Sequence, residues 1–171
     1  MFEEIAAAAA AESPLWADSL RPEGDRVGEA VFSLLGPEEH ALGIETIYEG
    51  YLVHYGCSRL FAPADDDTAL LLGDYLYAQG LVRVAETGDV AAVADLAELI
   101  SLCGQARADG GGGDGAAWAA TAALLGRGGL EGARDALRLE GDPSELAAIA
   151  REAAGDEVVE RALAAHARLV L

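Results

Sequence analysis

Long segments rich in alanine and leucine, each closed by glycine, proline or a capping serine or aspartate, most limit what this chain can fold into. Alanine and leucine lose little freedom in a helix. Nowhere does the strict apolar–polar alternation of a half-buried strand interrupt these segments, so the expectation is an all-α protein. "FEEIAAAAAAE" reads as a first helix. Ser13-Pro14 stops it and supplies an N-cap and first-turn pair for a short successor. "RPEGDR" breaks the pattern, and Asp25 is placed to cap a helix through Leu35. Gly36-Pro37 then opens a segment over 38–55, and further helices are expected over 67–86, 89–108, 116–125, 130–139, 143–154 and 156–170.

The 171 residues fit one domain with its own core. With 52% apolar and only 6% aromatic residues, that core is built mostly from Ala, Leu and Val. The expected form is a compact bundle of about eight helices, with 38–55, 67–86 and 89–108 at its centre as antiparallel neighbours. "GGGGDG" at 110–115 reads as a flexible connector between two helices. A phosphate cradle needs a preceding strand and a lysine, and this stretch has neither. "GRGGLEG" reads as a turn, and no repeat suggests a solenoid.

Charge removes several classes of function. A formal net charge of −19 opposes nucleic-acid backbones and anionic membranes as partners. Arginine supplies every fixed cation, so no lysine Schiff base, nucleophile or phosphate clamp exists. The amino terminus lacks the basic start and apolar stretch of a signal peptide, and no window approaches a membrane span, which gives the expectation of a cytoplasmic protein. Cys57 and Cys103 are too few and too far apart for a zinc or redox motif and are expected to be buried thiols.

Catalytic constellations are sparse. His40, His54 and His166 fall on different helices without an evident serine or cysteine partner. A di-iron bundle needs Glu-x-x-His pairs, but Tyr48 and Leu52 follow Glu45 and Glu49 at that spacing. Glu45, Tyr48, Leu52 and Tyr55 do share one helical face at intervals of three or four. They either line a pocket or let tyrosine hydroxyls satisfy a buried glutamate. Asp65, Asp66 and Asp67 precede a leucine-rich helix, where carboxylates cap free N–H groups and meet the positive end of the dipole; a magnesium site is the weaker alternative. Asp74 lies within that helix, and if buried it requires a partner such as Tyr48, Tyr55 or an arginine.

"ALGIETIYEGYLVHYG" followed by "ALLLGDYLYAQGLVRVAETGDVAAVADLAELISLCGQ" resembles the trans-isoprenyl diphosphate synthases, the all-α polyprenyl synthetase family. In that family a helix carries an acidic residue, then His and "LIHDD"; an "AILAGDxLL" helix and a helix ending in "GQ" follow. The resemblance covers roughly residues 38–105. It matches Asp74 to the "GD" aspartate and Gln105 to the "GQ" glutamine, and it implies an isoprenoid-synthase-like bundle whose pocket is lined by Glu45, Tyr48, Leu52, Tyr55, Asp74 and Gln105. It also implies a shortened relative. The family's first metal-binding aspartates correspond to Tyr55, Gly56 and Arg59, "CSRLFAPADDD" replaces the loop with paired arginines, and the second aspartate-rich motif has no counterpart at 110–171.

Prenyl transfer needs divalent ions to neutralise the departing diphosphate. The resemblance therefore implies no catalytic residues, no cofactor, and a role as an accessory subunit, for example of an active prenyl synthase. A module binding an isoprenoid or quinone tail is the alternative. A residual enzyme using magnesium at Asp65, Asp66 and Asp67 is a further one. Leu70, Leu71, Leu72, Leu76 and Leu81 surround one helix axis, and a helix apolar nearly all round needs cover on every side. A homodimer or heteromer is expected, with Leu72 and Leu76 as contact candidates.

Overall fold

The computed structural model describes residues 1–170 and is all-helical. Among the described residues nine α-helices follow in order: α1 (Phe2–Glu12), α2 (Pro14–Asp18), α3 (Ala41–Tyr55), α4 (Asp66–Ala85), α5 (Val90–Ala108), α6 (Asp114–Ala123), α7 (Glu131–Glu140), α8 (Ser144–Ala154) and α9 (Asp156–Leu169). There is no strand among them, only two isolated antiparallel bridges, Leu20 with Phe61 and Gly56 with Val170. None of these helices is long and apolar enough to cross a membrane.

Capping chemistry sets several boundaries where the sequence places them. Ser13 Oγ accepts from Leu15 N, with Pro14 in the first turn of α2. Asp65 Oδ1 accepts from Thr68 N at 2.7 Å and Asp89 Oδ1 from Ala92 N at 2.9 Å, opening α4 and α5. The expected helix over 25–35 does not form. Only single 3₁₀ turns at Glu23–Asp25 and Ser33–Leu35 occur there. The backbone donors of this stretch are satisfied elsewhere: Val27 N by Arg59 O, and Val31 N and Ser33 N by the carboxylate of Glu45. Tertiary partners outbid the local helix.

The glycine-rich connector is shorter than expected, because Asp114 and Gly115 already belong to α6 and are buried. Gly113 adopts φ +94°, and a Cβ there would also lie 2.8 Å from Leu137 Cδ1, so only glycine turns the chain into α6 at this point. Every residue of α6 is buried, Trp118 and six alanines among them. It packs against α5, α8 and α9 and forms the innermost helix of the molecule, a place the sequence reading gave to the segments at 38–108.

α3 and α4 run antiparallel in close contact along their lengths. Glycines permit this. A Cβ on Gly43 would lie 2.4 Å from Val84 Cγ2, one on Gly80 2.3 Å from Ile47 Cγ1, and one on Gly50 2.8 Å from Gly73 O. The other side of α4 covers α1 through a second apolar cluster of Ile5, Ala9, Leu60, Phe61, Leu72 and Leu76. Leu72 and Leu76 are 0% and 1% exposed. They are core residues rather than an open contact face, because α1 already covers them.

Candidate functional site

α3 brings the chemistry-bearing residues together, since its two polar faces both point inward. Glu45 and Glu49, one turn apart, are fully buried around the guanidinium of Arg59. Arg59 Nη1 donates to Glu45 Oε2 at 2.8 Å and Nε to Glu49 Oε2 at 2.9 Å, while Nη1 also reaches Glu29 O at 2.6 Å. Its charge lies between the rings of Phe2 and Tyr48, 4.9 and 5.0 Å from their centroids. Burial favours the neutral guanidine, but the charges of Glu49 and Glu45 overcome it and raise the Arg59 pKa above its ordinary value.

The remaining carboxylate oxygens are also engaged. Glu45 Oε1 accepts from Val31 N and Ser33 N, and Glu49 Oε1 accepts from Leu60 N and from the Ser58 hydroxyl. The triad thus stitches the irregular chain at 26–33 and at 56–61 to α3. Every oxygen of the two carboxylates thus accepts at least one hydrogen bond.

Tyr48 and Tyr51 form a second buried network. Tyr48 Oη lies 2.9 Å from His166 Nδ1 on α9, and Tyr51 donates to Asp114 Oδ2 at the start of α6. Arg107 Nε also donates to Asp114 Oδ2, at 2.8 Å, and to Tyr51 Oη, at 3.1 Å. Burial pushes both tyrosine hydroxyls far above their ordinary range, so neither serves as a base. Asp114 is different. Burial alone would raise its carboxyl, but His166, Tyr51 and Arg107 together hold it well below the ordinary carboxylate range. His166 Nε2 lies 3.7 Å from Asp114 Oδ1.

The expected pocket residues therefore separate. Glu45, Tyr48 and Leu52 are together but fully buried, and the rings of Phe32, Tyr48, Tyr51 and Trp118 fill the space beside them. Tyr55 instead lines an open surface cleft of about 470 Å³ with His54, Gly56, Gly104 and Arg107. Gln105 is exposed beside a different hollow of about 220 Å³, near Leu102, Gly111 and Leu137. Asp74 is not buried. Its side chain is 65% exposed and lies 3.3 Å from His54 Nε2. Burial lowers the His54 pKa, and Asp74 opposes this in part.

Asp65, Asp66 and Asp67 are exposed at the head of α4. The cap to Thr68 holds the Asp65 carboxyl below its ordinary range. Among the described residues no three His, Cys, Asp or Glu side chains form a group able to hold a metal ion, and Asp65 Oδ1 is engaged as the cap of α4. Cys103 is buried as expected, whereas Cys57 is exposed.

Sequence reasoning passed over Arg107 and Asp114, and it named Arg59 and His166 without finding the partners of either. Asp114 had a readable signal, an acid directly before a helix with no polar face of its own. Arg59 had one too, a lone cation beside the apolar pair Leu60-Phe61. No family model, no curated protein and no solved structure matches this chain.

Proposed function

We propose that this chain is a non-catalytic partner subunit acting through protein–protein contact, as the resemblance of residues 38–105 to the polyprenyl synthetase family suggests. What supports the reading is the state of α3. The two carboxylates on its inner side have every oxygen engaged by Arg59, Ser58 and backbone N–H groups. A helix that spends its acidic residues on holding the chain together has none to offer a diphosphate–metal complex. Aromatic rings fill the adjoining interior, so binding a prenyl tail there requires displacing Trp118 or Phe32.

Sedimentation velocity of this chain mixed with a polyprenyl diphosphate synthase that retains both aspartate-rich motifs tests the reading. A joint boundary heavier than either component is expected. Independent boundaries at tens of micromolar contradict it.

A further inference from the structure

We infer that the outward face of α4 docks an amphipathic helix of a different protein, one whose apolar stripe is flanked by lysine or arginine. The inference rests on the partner-subunit reading and specifies what the partner presents. α4 packs against α3 and α5 and, through the cluster of Leu72 and Leu76, over α1, yet its remaining side is also apolar. Leu71, Ala78, Val82 and Ala85 are exposed and follow one another at intervals of seven, four and three, which places them in a single row. Leu70 sits beside that row, and Leu70, Leu71 and Val82 are 55%, 55% and 52% exposed. The row runs roughly 20 Å at 1.5 Å per residue, enough to seat several turns of helix.

Charge identifies the occupant. Asp67 and Asp74 interleave with the row at intervals of three and four, Glu86 follows its end, and all three are exposed. The only basic residue of α4, Arg83, is turned toward α3, where it donates to Thr46 Oγ1. The rim is thus uniformly acidic in a molecule of net charge −19. Pairing with a second copy through this face would set carboxylates against carboxylates, which like-charge repulsion penalises. A helix with basic flanks meets an apolar row and an acidic rim together, and its approach is steered by charge.

The probe is a fluorescently labelled synthetic helix with leucine along one face and lysine on both flanks. Two comparison peptides replace lysine with glutamate or scramble the lysine peptide's order. Anisotropy titration is expected to show binding of the lysine amphipath alone, weakening as salt rises. Leu71→Arg and Val82→Arg each lower affinity about tenfold or more by setting a cation in the apolar row. Leu139→Arg, at an exposed leucine of α7, leaves affinity unchanged. All three positions are exposed, and unchanged circular dichroism confirms folding.

Equal binding of the scrambled peptide, or an equal loss with Leu139→Arg, overturns the inference. So does light scattering that finds a dimer dissociated by Leu71→Arg, which would make a second copy the occupant. If the peptide binds but the synthase does not, the docking face stands and the partner-subunit reading falls. A synthase complex that is indifferent to Leu71→Arg gives the reverse.

Discussion

Arg59 is the counter-ion of two fully buried carboxylates, Glu45 and Glu49. Replacing it with methionine keeps much of the volume and removes the charge, leaving Glu45 and Glu49 buried without their counter-ion. Arg59→Met is expected to lose about 3–5 kcal/mol in urea unfolding. Changing Glu45 and Glu49 to glutamine in the same molecule should recover part of that loss, whereas an unchanged unfolding midpoint for Arg59→Met would show the triad to be dispensable.

Asp114 makes a complementary prediction in pH. Its folded carboxyl lies below the ordinary value, so its contribution is present above about pH 4 and declines as pH falls toward the folded value. Asp114→Asn should be less stable than the native chain near neutrality, with the gap narrowing in acid. A gap that widens on acidification contradicts the assigned network. Each residue left only a local mark in the sequence. An aspartate in a glycine run and an arginine after Cys57-Ser58 read as loop polarity, and only the fold reveals that both are enclosed.

Among the elements, the α3–α4 pair depends on glycine in a way that separates close packing from ordinary helix propensity. Gly43→Ala or Gly80→Ala would force apart backbones already in contact and should cost about 1–3 kcal/mol through overpacking. Gly132 is also helical, in α7, but a Cβ there meets nothing within 4 Å. Gly132→Ala should therefore stabilise by about 0.5–1 kcal/mol. Thermal or chemical unfolding of the three variants checks both signs, and a stabilising Gly43→Ala would refute the close approach.

Helix positions were legible because alanine-rich runs, Ser13, Asp65 and Asp89 act locally. The stretch at 25–35 was not, since Glu45 and Arg59, distant in sequence, satisfy its backbone. The inner position of α6 was hidden for a related reason: alanine marks a helix without saying how deeply it is buried. Leu72 and Leu76 looked like contact residues because nothing local announces that α1 will cover them.

At the scale of the whole molecule, the inward-facing chemistry is committed to cohesion and the outward surface is acidic, with one apolar row on α4. The all-α class followed directly from composition and period. The absence of an open pocket around Glu45, Tyr48 and Leu52 did not, because helical spacing fixes which residues share a face but not what fills the space opposite. The central claim, a partner without catalysis of its own, is tested most directly by prenyl transfer from radiolabelled isopentenyl diphosphate and an allylic diphosphate in magnesium. The chain alone is predicted to yield no product, while titration into an active synthase should change its rate or product length and saturate at a fixed stoichiometry. Product made by the chain alone, and lost when Asp65, Asp66 and Asp67 are changed to alanine, would contradict the account.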